Sequence, residues 1–146
     1  MVFDPGSAPR EREAFRAWYH VQTQWREGHG YDDPDRTTPE LRGWYRAMRQ
    51  VFPNMNGPDA VDDDHVERAA DYTIGNALIY VTFPWSLAEE AYPAVRDLAV
   101  EHRVGFYDVS GDEGDGEIHF PGDALRPPSQ GTWRSVAAEF RNFKNG

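Results

Sequence analysis

Five histidines, one run of aspartates and one glycine-rich acidic segment are the residues of this chain whose types could do chemistry. His65 follows Asp62, Asp63 and Asp64 and precedes Glu67. Carboxylate oxygens with an imidazole are reasonable ligands for a divalent cation, although a solvated acidic loop is the simpler account. The segment from Asp108 to Glu117, with Asp112, Glu113 and Asp115 between, suggests a calcium loop by composition. The count fails. Starting from Asp108, the position that needs glycine holds Glu113, and the one that needs a bidentate carboxylate holds His119. A hairpin tip, with Gly111, Gly114 and Gly116 supplying left-handed backbone, explains the same residues with fewer assumptions.

His20, His29, His65, His102 and His119 show no zinc-ligand spacing. His20 and His102 fall on or near helical apolar stripes and read as histidines at the edge of a core. The chain has no cysteine, so thiolate nucleophiles, thiolate metal sites and disulfides are excluded. It contains no Gly-x-Ser-x-Gly elbow, no P-loop and no Gly-x-Gly-x-x-Gly. Among 25 acids no pair stands out for acid–base work, because burial and separation make such a pair catalytic. Catalysis is therefore the weaker reading, and no cofactor or metal is called for.

Charge points to binding. The net charge is −10, and its distribution is uneven. Residues 1–50 balance, residues 51–125 carry nearly all the excess acid, and residues 126–146 are basic. Such a field repels nucleic acid and anionic membranes and favours a basic protein or a cation, though it also serves solubility. Trp18, Trp25, Trp44 and Trp133 lie on apolar stripes and read as core. Trp85 follows Pro84 at a strand-to-helix junction, where a partly exposed ring can anchor an interface.

These residues must be positioned by one domain spanning residues 1–146, a length that buries enough surface without a metal or disulfide. With 39% hydrophobic and 14% aromatic residues, aromatic rings supply much of the core. No signal peptide is visible at Met1–Pro5, and no stretch approaches the roughly 20 apolar residues that span a bilayer, so a cytoplasmic location is expected. Fourteen arginines against the single Lys144 suggest a GC-rich bacterial genome.

Residues 2–4 read as a short edge strand. Phe15, Trp18, Tyr19 and Trp25 predict a helix over 9–27, with Ser7 as N-cap and Gly28 as its stop. Thr38-Pro39 starts a second helix, carrying Leu41, Trp44, Tyr45, Met48, Val51 and Phe52 to Pro53. The two are expected to form an αα-hairpin over the sheet. Strands follow at 72–74 and 77–83, the second apolar on both faces and therefore central. Ser86 and Glu89 predict a capping box for a third helix, with Pro93 kinking it or delaying its start. Strands at 104–109 and 117–120 flank a hairpin loop, and a short helix at 132–143 docks a C-terminal extension, residues 126–146. The order β-α-α-β-β-α-β-β-α predicts an α+β fold, a mainly antiparallel sheet with helices packed on one side, in the manner of a ferredoxin-like arrangement.

Two segments carry a resemblance. One is Tyr31-Asp-Asp-Pro34 with Thr38-Pro-Glu-Leu41, Trp44 and Phe52-Pro-Asn-Met-Asn-Gly-Pro58. The other is Ile79-Tyr-Val-Thr-Phe83 with Ala88-Glu-Glu-Ala91, Leu98-Ala99, His102 and Gly105-Phe-Tyr-Asp108. Over residues 15–121 the chain resembles an uncharacterised family of small bacterial proteins common in actinobacteria. Some similar proteins are suspected immunity proteins of polymorphic toxin systems. The resemblance implies a protein-binding module and brings no catalytic motif with it.

The leading expectation is thus an immunity- or antitoxin-like inhibitor that sets an acidic face against a basic partner. Asp62, Asp63, Asp64, Trp85, Asp108, Asp112, Glu113 and Asp115 are its candidate contacts. The alternative is a small-molecule or divalent-cation binder, or an enzyme, with a pocket near His102, Tyr107 and Asp108.

Overall fold

A computed structural model describes residues 1–56, 67–108 and 117–122. The elements in chain order are β1 (Val2–Phe3), α1 (Arg12–Gln22), α2 (Pro39–Met48), β2 (Asp71–Ile74), β3 (Leu78–Thr82), α3 (Ala88–Glu101), β4 (Gly105–Tyr107) and β5 (Ile118–His119). Short 3-10 turns occupy Pro34–Arg36 and Trp85–Leu87. The strands form one antiparallel sheet in the order β2-β3-β1-β4-β5, which makes the class α+β, as the sequence predicts. The expected hairpin loop and C-terminal helix lie outside the described residues.

β1 occupies the centre of the sheet, not its edge. Val2 pairs with Ile79 on one side and Phe106 on the other, and both β1 residues are fully buried. The reason is visible in the residue pair itself. Side chains alternate along a strand, so two adjacent apolar residues demand cover on both faces. Val2 joins Ile79 and Phe106 on one face, under Trp44 and Tyr45 of α2 and Ala91 and Val95 of α3. Phe3 joins Leu78 and Tyr107 on the other, against Phe15, Trp18 and Tyr19 of α1.

The sheet is therefore covered on both sides. Helices α2 and α3 share one face, as expected, and the Trp44 indole N–H donates to the Val95 carbonyl between them (3.2 Å). Helix α1 lies on the opposite face, so it does not pair with α2 as an αα-hairpin. The physical cause is the second apolar row of the strands, which α1 covers with edge-to-face rings: Phe3–Phe15 centroids lie 4.9 Å apart and Phe15–Tyr107 5.1 Å. Gly105 makes this row continuous. It stands opposite Phe3, whose ring lies over it, and any Cβ at position 105 would be driven into that ring.

Two helix starts differ from expectation. For α1 the cap is Glu11, whose carboxylate accepts from the Glu13 and Ala14 amides at 3.0 and 2.9 Å, while Ser7 instead donates to Asp4. The helix ends at Gln22, and Trp25 reaches the α1 core from a loop, with φ at 55°. Helix α3 follows the 3-10 turn directly, without a capping box, and runs through Pro93. Thr38 and Pro39 start α2 as predicted, the Thr38 Oγ1 accepting from Leu41 N at 3.2 Å.

Candidate functional site

β3 and β4 run past the beginning of β1. In register, Met1 and Tyr107 exchange main-chain bonds, Tyr107 N–H to Met1 O at 2.9 Å and the Met1 amine to Tyr107 O at 3.1 Å. Beyond this pair β3 continues through Val81 to Thr82, and Asp108 follows β4. The space between them opens into a cavity of about 360 Å³. Its floor is the α3 surface formed by Ala88, Ala91, Tyr92 and Val95. Its walls are Tyr80, Val81 and Phe83 on one side and Phe106, Tyr107 and Asp108 on the other, with Met1 at the inner end. Trp85 lines it too and is 43% exposed, so it stands where the cavity meets solvent.

The polar groups cluster at the β4 side. Asp108 is buried, and its amide donates to the Glu117 carbonyl at 2.9 Å. The Met1 amine is buried beside it; burial lowers its pKa to about 5, against the opposing pull of the Asp108 charge. The Tyr92 hydroxyl donates to the Glu117 carboxylate, and Arg96 Nη2 lies 2.9 Å from Glu117 Oε1. Burial first, and then the bond to Glu117, hold the Tyr92 phenol above its ordinary range. His119, two residues on from Glu117 and opposite Phe106, is buried on the same face.

Trp85, Tyr107 and Asp108 thus line one cavity, although the sequence distributes them between two different readings. Asp108 is not displayed on an acidic surface: its alternation with Phe106 turns it toward the α3 side, where it is covered. His102 does not line the cavity. It caps α3 next to α2, where a Cβ on Gly43 would come within 3.0 Å of its Nδ1. Asp62, Asp63, Asp64, Asp112, Glu113 and Asp115 lie outside the described residues, as does His65. Among the described residues no three of His, Asp and Glu gather as a metal site, and no helix is long and apolar enough to cross a membrane.

Tyr92 and Arg96 were not singled out by the sequence, and Glu117 only as the end of an acidic segment, yet a signal exists. Tyr92 and Arg96 are four apart on one helix and share a face, and Glu117 and His119 are two apart on one strand and share a face. What the sequence lacks is the register that brings those faces together. No family model matches the chain, and no curated protein or solved structure does so.

Proposed function

We propose that this domain is a binding module whose ligand enters the cavity between α3 and the β3–β4 opening. The observation that carries the reading is a cavity of about 360 Å³ with apolar walls, one buried carboxylate at Asp108 and a half-exposed ring at Trp85. That size and lining match small-ligand pockets, which combine a mostly apolar surface with a few polar groups that fix orientation. The carboxylate favours a ligand with an apolar body and a cationic or hydrogen-bond-donating head.

Size-matched phenylalkyl amines, alcohols and carboxylates, followed by tryptophan fluorescence, test this. The amines are expected to bind more tightly than the carboxylates. Ala88→Leu, which adds bulk to a half-buried position on the cavity floor, should weaken binding by about tenfold while leaving stability within about 0.5 kcal/mol. Absence of saturable binding in all three classes, or unchanged affinity in the variant, would remove the cavity reading.

A second proposal rests on charge. The excess acid of residues 51–125 and the exposure of Trp85 support the acidic-face inhibitor of a basic protein. The two readings share Trp85.

A further inference from the structure

We infer that the head this cavity selects is a quaternary ammonium, a trimethylated nitrogen held among the rings of Phe83, Trp85, Tyr92 and Phe106. The inference rests on the cavity reading and specifies the cation.

The hollow has a cause in the sequence. Ala88, Ala91, Tyr92 and Val95 stand at helical spacing on one face of α3, and Trp85, in the 3-10 turn before it, precedes Ala88 by three residues. The two alanines keep the floor low, and the rings rise around them. Tyr92 and Phe106 meet nearly at right angles, with centroids 5.5 Å apart and planes at 84°, so they form a corner and not a stack. Phe83 stands on the β3 side, held edge to face against the buried Phe52 ring at 5.2 Å. Trp85 stands at the mouth. Floor, both walls and entrance each contribute a ring.

An aromatic ring is negative over its faces and positive at its edge. Rings placed on several sides of one hollow therefore attract a cation, and aromatic cages of this kind suit quaternary ammonium groups. Asp108, which shares the α3 side with Phe106, adds a buried carboxylate to the β4 wall. Arg96 and Glu117 lie next to each other, so their opposite charges largely cancel at the cavity.

The lining also separates one cation from another. A metal such as calcium takes six or more oxygen ligands, whereas Asp108 is the one carboxylate among the described lining residues. A primary ammonium brings three N–H donors, and a wall of rings and aliphatic groups serves few of them, at the cost of desolvating the rest. A trimethylated nitrogen has no N–H to satisfy, and its methyl groups carry the charge outward to the ring faces. A neutral group of the same shape keeps the apolar contact and loses both attractions. The volume of about 360 Å³ is at the small end for ligand pockets, which suits one such head on a short apolar body.

The test is calorimetric titration of the full chain with four compounds that share a phenylethyl body. Their heads are a primary, a dimethyl and a trimethyl ammonium, and the neutral tert-butyl group that matches the last in shape. The trimethyl compound is expected to bind about tenfold more tightly than the primary amine and about tenfold more tightly than the tert-butyl compound. Trp85→Leu and Phe83→Leu, which keep an apolar side chain without a ring, should each shrink the preference for trimethyl over tert-butyl. If the primary amine binds at least as well, hydrogen bonding selects the head; the inference is wrong and the cavity reading stands. If the tert-butyl compound binds as well, shape alone selects it, and the inference is equally wrong. An unchanged preference in both variants would show that the rings are not its cause. Binding by none of the four would remove the cavity reading together with this one. Choline and acetylated trimethyl-lysine amide, competed against the trimethyl compound, distinguish a free small molecule from a modified lysine side chain as the source of the head. Displacement by either supports the inference, and displacement by neither overturns it.

Discussion

At the loop after α1, a single imidazole holds two acceptors. His29 Nδ1 lies 2.7 Å from the Gly30 carbonyl and Nε2 lies 2.7 Å from Glu27 Oε1. A neutral ring has one N–H and can serve only one of them; the imidazolium serves both. The bond to Gly30, then the bond to Glu27, raise the His29 pKa above its ordinary value near 6.5. Glu27 Oε1 also accepts from Asn76 N at 2.9 Å, so the loop is tied to the β2–β3 turn through this carboxylate. Because the folded pKa is raised, the stabilisation is complete below about pH 6.5 and is lost as pH rises through the folded value. Thermal unfolding of the wild type and of His29→Gln, compared from about pH 5 to about pH 9, should show a gap that narrows as pH rises. Parallel curves would exclude this role. At this scale the sequence was partly legible. Trp44 as core and Trp85 as exposed follow from stripe and junction positions, and the structure agrees. The Glu27–His29 link was not legible, because it depends on Trp25 turning the chain through a left-handed φ that aromatic residues rarely adopt.

Between elements, the tie that matters to the cavity is the one from α3 to β5. The Arg96 and Glu117 side chains are nearly enclosed, at 11% and 7% exposure, and Tyr92 donates to the same carboxylate. Removing one member of such a pair leaves the other buried without its counter-charge, whereas removing both does not. Glu117→Leu is expected to cost about 3 kcal/mol in urea unfolding, and Arg96→Met/Glu117→Leu to recover most of that loss. A double variant no better than the single one would show that the pair does not act as a unit. The elements themselves were largely legible. The start of α2 at Thr38-Pro39 follows from side-chain chemistry alone, and β3 as an interior strand follows from apolar residues at both parities. β1 obeys the same parity rule, but two residues are too short a run to show it. The capping box proposed for α3 failed because the chain reaches that helix through a 3-10 turn, which places Leu87 at the cap. The side on which α1 packs was hidden for another reason: an amphipathic stripe says that a face is covered, not by which surface.

Over the whole molecule, charge acts at distances that no single contact reaches. A net charge of −10 attracts cationic partners before they touch, and this attraction weakens with salt. If the acidic-face proposal holds, Asp112→Asn/Glu113→Gln/Asp115→Asn should slow association with a hexa-arginine probe and flatten its salt dependence in stopped-flow measurements. Identical kinetics in the variant would end that proposal and leave the cavity as the site to pursue. Topology belongs to this scale too. The central place of β1 sets it between partners that lie far along the chain from it. Met1 and Tyr107 are 106 positions apart, and both must be present before the middle of the sheet exists. The β2–β3 hairpin closes over a short loop and needs nothing from β1, so it can form early. Joining it to β4 through β1 requires closing a loop of 106 positions, and that entropy is lost before the new contacts return any stability. Contacts so distant in sequence slow folding, so the β1–β4 ladder is expected to form after the β2–β3 hairpin.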